Sequence, residues 1–147
     1  MVVNSEENRR VIEALIAATA KIKVGSDDGC FMGPLISPGA ADSTMAFESR
    51  LIAAGARPLL PLQRDGGVSA LVRPGLIDVT GVNGIEDEEC FGPLLQIHWV
   101  ADMEEAVNAA NDTQYGLAAG LLSDSASAWD YFYPRINAGI VNFNRPL

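Results

Sequence analysis

The run Glu88-Glu89-Cys90-Phe91-Gly92-Pro93-Leu94 gathers several chemically useful groups in one short stretch. A carboxylate has two acceptor oxygens and can take both hydroxyls of a vicinal diol. Glu89 could do this. Phe91, two residues on, could lay an aromatic face against a flat heterocycle. Gly92-Pro93 then ends the loop and hands the chain to a strand. The same residues also read as a solvated acidic loop, with Phe91 plugging the core. Cys90 stands where a nucleophile would tempt. It has no histidine close in sequence and no helix N-terminus to depress its pKa, so a small, partly buried thiol is the plainer reading.

Asn142 and Asn144 lie two apart on a predicted strand, so both should point to one face. They read as amide donors to a ligand or as side chains satisfying backbone at a strand end. His98 is the one histidine, and in a strand it reads as structural. Together with the separated Cys30 and Cys90 it makes no zinc set. Cys30, in a Gly-rich turn, is expected to be exposed. The acidic run at 86–89 lacks the Asp-x-Asp-x-Asp-Gly pattern of a calcium loop. Gly33-Pro34 is a turn, because no G-x-G-x-x-G pattern follows a strand.

These residues need elements to position them. Val2-Val3 is a strand stub. Ser5 caps a helix running to about Ile22, with Glu6 and Glu7 in its first turn, where the dipole favours anions. Ile12, Leu15, Ile16, Thr19 and Ile22 form its inner face, and Gly25 stops it. Ser37-Pro38 opens a second helix to about Ala54, with Met45, Leu51 and Ile52 as its buried side. Gly55 ends it. Residues 57–62 and 70–73 read as strands around a turn at Asp65-Gly66-Gly67. Leu76–Val79 is extended, and Leu94–Ala101 is a strand. Asp102 caps a helix whose Met103, Ala106, Val107 and Ala110 share a face. Residues 116–122 read as a buried strand and 125–136 as a helix carrying a Trp129, Tyr131, Phe132, Tyr133 cluster. Ile140–Phe143 is the last strand. This alternation predicts an α/β fold, a mostly parallel sheet with flanking helices, in a single domain.

Composition sets the class. At 147 residues and 48% hydrophobic content the chain can bury a core of its own. A net charge of −9 argues against nucleic-acid or anionic-membrane partners. No apolar run is long enough to span a bilayer. The N-terminus lacks a cationic leader before an apolar region, so no signal peptide is expected. Two cysteines make no disulfide framework and point to a reducing, cytoplasmic setting.

The run at 88–94 resembles the E-E-x-F-G-P-L/V motif of the aldehyde dehydrogenase superfamily. Four further segments resemble the same family in the same order. Phe31-Met32-Gly33-Pro34-Leu35-Ile36-Ser37 is similar to its M-G-P-L/V-I-S segment. Pro74-Gly75-Leu76-Ile77-Asp78-Val79 is similar to P-G-I/L-L/I-D-V. The segment Asn111-Asp112-Thr113-Gln114-Tyr115-Gly116-Leu117-Ala118-Ala119 resembles N-x-S/T-x-Y-G-L-A-A/G. Ala138-Gly139-Ile140-Val141-Asn142-Phe143-Asn144 resembles the A-G-x-I/V-x-V/W/F-N strand. The resemblance covers most of the chain from about residue 31. Residues 113–125 and the Asn142/Asn144 pair resemble the succinylglutamate-semialdehyde branch. Phe143 stands where that branch carries Trp, and Arg145-Pro146 where it carries Lys-Gln.

The resemblance implies an oxidoreductase using NAD or NADP on a small-molecule aldehyde, with N-succinylglutamate semialdehyde of arginine catabolism as the substrate it suggests. It implies that Glu89 holds the nicotinamide ribose hydroxyls and that Phe91 packs beside the nicotinamide ring. It places Asn142 and Asn144 near the substrate tail. The pyrophosphate turn, the Glu base, the Cys nucleophile and the oligomerisation tail of the family have no match here. A partial catalytic domain downstream of the nucleophile is therefore expected, inactive by itself. It would assemble as a homo-oligomer or, in a second reading, serve as a non-catalytic interaction domain on a full-length dehydrogenase.

Overall fold

The computed structural model describes residues 1–64 and 66–145. Asp65 of the expected turn, and Pro146 and Leu147, lie outside the described residues. In chain order the elements are β1 (Val2–Val3), α1 (Glu6–Thr19), α2 (Pro38–Ala53), β2 (Arg57–Leu60), β3 (Gln63–Arg64), β4 (Val72–Arg73), β5 (Gly75–Asp78), β6 (Leu94–Ile97), β7 (Trp99–Val100), α3 (Met103–Asn111), β8 (Ala118–Leu121), α4 (Ala126–Phe132) and β9 (Ile140–Phe143). They fall into two compact units: Ser5–His98, and Met1–Asn4 with the residues from Trp99 onward. The pairs β1–β7, β5–β6 and β8–β9 are parallel, and β2–β5 and β3–β4 are antiparallel. The α/β class with mostly parallel pairing therefore holds. No helix among the described residues is long and apolar enough to cross a membrane.

In the unit Ser5–His98, the Ser5 hydroxyl accepts the Asn8 N–H at 3.1 Å and starts α1. Ile12 is buried, with Leu15, Ile16 and Thr19 half-buried along the same stripe. The helix ends at Thr19 rather than Ile22. Lys21 and Ile22 donate to carbonyls three residues back, at 3.1 Å each, which tightens the last turn. In α2 the Ser37 hydroxyl accepts the Ala40 N–H at 3.1 Å, and Pro38 takes the first helical position. Gly55, at φ 105°, ends it in a conformation that disfavours a side chain. The buried face is Ala41, Thr44, Phe47, Glu48 and Leu51. Ile52, expected inside, is 44% exposed. It sits about 100° around the helix from Leu51 and so falls off the stripe.

β5 lies between β2 and β6 and is buried along its whole length. A strand covered on both faces reads as a continuous apolar run, and Leu76 and Ile77 are two of the most deeply buried side chains. A Cβ on Gly75 would lie 2.9 Å from both Leu60 O and Leu62 N, so only glycine lets the two backbones approach. The expected pairing of 57–62 with 70–73 is shorter and split. The register of β2 against β5 shifts between Pro58 and Leu60, and β3 then pairs with β4. Pro61 and Pro74 flank the break and have no N–H to offer a ladder. Beyond the break, the Leu62 N–H donates to the buried Glu48 carboxylate at 2.9 Å. Phe47, Leu51, Ala56, Ile77 and Val79 form the main core cluster.

Asp78 is buried and faces Arg57 across the β2–β5 pair, at 3.0 Å. Burial pushes its carboxyl up. Hydrogen bonds from Thr80, and then the bond and charge of Arg57, outweigh this and leave it below its ordinary value. A carboxylate depressed in the folded state stabilises above its unfolded pKa of about 3.9. That stability is lost as pH falls through the folded value. Asp78→Asn is expected to cost about 1–2 kcal/mol at neutral pH and to flatten the acid limb of a melting-temperature profile below about pH 4. An unchanged acid limb in the variant would remove Asp78 from this role.

The expected strand 94–101 is two strands. β6 joins β5, the chain breaks at His98, and β7 pairs with β1 in the other unit. In that second unit Asp102 Oδ1 accepts the Glu105 N–H at 2.9 Å, while Glu105 Oε2 accepts the Ala101 N–H at 2.7 Å. The first bond caps α3 and the second ties its first turn to the preceding residue; Val107 of α3 is buried as expected. β8 differs from expectation: among the described residues it pairs only with β9, and Leu117 and Leu122 at its ends are 81% and 79% exposed. α4 ends at Phe132 instead of 136, because Pro134 cannot continue the hydrogen-bond ladder. Trp129 stacks on Phe143 at 4.9 Å and contacts Phe132 and Tyr133. Tyr131 leaves the cluster and lies under the Arg135 guanidinium, 4.1 Å from its ring centre.

Candidate functional site

The segment between β5 and β6 crosses the core cluster as a loop. Gly81 and Gly84, at φ 73° and 74°, let it reverse. Val82, Ile85 and Cys90 pack down onto Phe47, Leu51 and Ile77. Near its end the Gly92 N–H donates to Cys90 O at 2.7 Å, and the Leu94 N–H donates to Gly92 O at 2.9 Å. These are successive three-residue turns. Phe91 is the middle residue of the first and is thrown outward, 80% exposed. Glu89 is exposed and has no bonding partner among the described residues. Phe91 therefore does not plug the core; Cys90 takes that part.

The inward residues are tied to α2. Glu88 stays partly exposed, but its carboxylate pairs with Arg50, whose guanidinium lies 5.2 Å from the Phe47 ring centre. Gly92 abuts Thr44, and a Cβ there would fall 2.2 Å from the Thr44 hydroxyl oxygen. That hydroxyl is itself held, donating to Ala40 O at 2.9 Å. The loop thus alternates, with Glu88, Cys90 and Gly92 inward and Glu89 and Phe91 outward. A free carboxylate and a free aromatic face, two residues apart on a pinned loop, suit a ribose diol and the flat ring attached to it. Burial, and then the Glu88 charge, push the Cys90 thiol above its ordinary value. It is held protonated rather than activated.

Asn142 and Asn144 lie in the other unit. Asn142 pairs in register with Gly120 and is half-buried, with no side-chain hydrogen bond among the described residues. Asn144 lies just past β9 at φ 51°, so the two-residue alternation of the strand does not carry to it. Its amide accepts the Ser123 N–H and donates to Ser123 O, both at 2.9 Å. Of its two readings, backbone satisfaction is the one the geometry displays. Sequence reasoning overlooked a similar staple. Asn111 donates to Arg135 O and accepts the Asn137 N–H, each at 2.8 Å, tying the end of α3 to the turn before β9. The N-x-S/T-x-Y-G-L segment was a signal for it, though its partners lie more than twenty residues on. His98 is half-buried, and no group of three or more metal-ligating side chains occurs among the described residues.

Residues 1–147 match the aldehyde dehydrogenase family throughout. The chain belongs to the aldehyde dehydrogenase family. It is 43% identical over 150 residues to the N-succinylglutamate 5-semialdehyde dehydrogenase of Hahella chejuensis (strain KCTC 2396), covering 100% of this chain and 31% of that one. Among solved aldehyde dehydrogenases it superposes on aldehyde dehydrogenase 21 from Physcomitrella patens, in complex with the reaction product succinate. The TM-score is 0.82 at 30% identity, over 92% of this chain and 28% of that one. It also superposes on betaine aldehyde dehydrogenase from Staphylococcus aureus in complex with NAD+, with a TM-score of 0.81 at 25% identity, over 99% of this chain and 31% of that one. This aldehyde dehydrogenase chain thus spans about a third of the length of the relatives it matches.

Proposed function

We propose that this chain is part of the catalytic domain of an NAD(P)-dependent aldehyde dehydrogenase and forms its nicotinamide-riboside clamp. The carrying observation is the alternation of the motif loop, which ties Glu88, Cys90 and Gly92 inward and leaves Glu89 and Phe91 free and outward. A bound nicotinamide would supply the hydride acceptor for aldehyde oxidation. The chain's own part is to hold. Glu89 accepts the two ribose hydroxyls through charge-assisted bonds, which are roughly twice as strong as neutral ones. Phe91 supports the adjoining ring face. The 43% identity to a succinylglutamate-semialdehyde enzyme supports a semialdehyde of that class as substrate, oxidised to the carboxylate. Asn142, with its amide uncommitted among the described residues, is the proposed donor to the substrate's carboxylate tail. Asn144 shapes the strand end beside it.

The test supplies an upstream half from an aldehyde dehydrogenase by fusion and compares Glu89→Gln with the parent. The variant keeps size and one acceptor oxygen but loses the charge. A misplacement near an ångström can cost ~100-fold in rate. Hydride transfer should slow by up to that factor, with a larger deuterium isotope effect on labelled aldehyde. NAD affinity should change much less. Glu86→Gln, exposed on the same loop, serves as the control. Equal behaviour of the two variants would remove Glu89 from the clamp.

A further inference from the structure

The geometry points to Arg50 as a positioning residue of the riboside clamp, acting through Glu88; this rests on the reading of Glu89 and Phe91 above. The loop has an electrostatic problem of its own. Glu86, Asp87, Glu88 and Glu89 are four consecutive acids, and like charges at that spacing push the loop open. Arg50 pairs with one of them, Glu88. It lines a shallow cleft between α2 and the loop with Phe47, Leu51, Ile85, Glu86 and Glu88.

Arg50 is held from more than one side. It sits in the last turn of α2, where the helix dipole favours a cation. Its guanidinium lies by the Phe47 ring, and Phe47 is buried in the core. From there it binds the Glu88 carboxylate. Two residues on, Cys90 is anchored in the core cluster. With the residues on either side both drawn inward, Glu89 between them is turned out. Arg50 also neutralises Glu88, the carboxylate next to Glu89, while Glu89 itself stays exposed.

The test titrates nicotinamide riboside into the 147-residue chain, followed by backbone amide NMR shifts at millimolar ligand. The variants are Arg50→Met, Glu88→Gln, Glu89→Gln and the charge swap Arg50→Glu with Glu88→Arg. The pair is partly exposed, so an effect of about two- to fivefold on affinity is expected. The Arg50→Met arm is the most informative. Nicotinamide riboside is a cation, and removing Arg50 makes the chain more acidic, so bulk attraction alone would tighten binding. Weaker binding with an unchanged melting temperature, recovered in the swap and erased near 1 M salt where screening reaches about 3 Å, is the expected result. If Glu89→Gln weakens binding and Arg50→Met does not, Arg50 does not position the clamp and the riboside reading stands. If Arg50→Met lowers the melting temperature by several degrees and the swap restores nothing, Arg50 is merely structural and the inference falls. If no riboside binds, or Glu89→Gln changes nothing, the clamp and the inference fall together.

Discussion

Given an aldehyde and NAD, the 147-residue chain is expected to form no NADH. Aldehyde oxidation of this type needs a thiolate to attack the carbonyl. The chain has two cysteines, Cys30 and Cys90. Cys90 packs onto the Phe47–Ile77 cluster, and burial with the neighbouring Glu88 charge raises its pKa, so at neutral pH it is a thiol. Cys30 sits in the loop before α2 with its sulfur against Gly25, and no histidine is near it in sequence. A nucleophile and its base act as a unit, and losing one member costs on the order of a millionfold. The riboside clamp grips one end of a dinucleotide, so NAD affinity should also be weaker than about millimolar, or about −4 kcal/mol. Spectrophotometric turnover by the purified chain, abolished by Cys90→Ser or Cys30→Ser, would overturn this expectation.

Gly92→Ala is expected to give the largest loss of stability in the motif loop. The added Cβ would fall 2.2 Å from Thr44 Oγ1 and 2.4 Å from Thr44 Cγ2. Thr44 cannot swing away cheaply, because it is buried in α2 and its hydroxyl donates to Ala40 O. Overpacking of this kind costs about 1–3 kcal/mol. The strain should also lift the Cys90–Gly92 turn and weaken riboside binding, since Phe91 is the middle residue of that turn. Thr44→Ala removes the two nearest atoms and leaves the Thr44 Cβ position at 2.9 Å. The double variant should therefore recover part of the loss, in chemical denaturation as in binding. Strictly additive effects of the two substitutions would mean that this contact does not set the loop.

Much of this geometry follows from local rules that a sequence states openly. The caps at Ser5, Ser37, Asp102 and Ser125 lie where polar side chains precede apolar periodicity, and each accepts an N–H three residues on. Gly55 stops α2 because the position needs a positive φ. The apolar face of α3 is legible because its spacing is regular. α4 stops at Phe132, short of residue 136, and the signal is local too: Pro134 has no N–H to continue the helix.

Other features depended on partners remote in the chain. The 88–92 loop, which belongs to no strand, offers two carboxylates, a thiol and an aromatic ring. Its residues do not say which of these meet the core. Phe47, Arg50 and Thr44 of α2 decide that, and they lie some forty residues earlier. Phe47 and Glu48 escaped the sequence reading because α2 is rich in small residues and its stripe is weakly marked. Residues 94–101 look like one strand, since both halves are apolar; only β5 and β1 divide them at His98. β8 has the small apolar residues of a buried strand, yet it is half-exposed because β9 is its single strand neighbour among the described residues. Residue types and spacing determined the family and the chemistry available at Glu89 and Phe91. Which of those groups is free to use that chemistry was decided by tertiary packing, because burial and pairing are properties of neighbours that one stretch of chain does not contain.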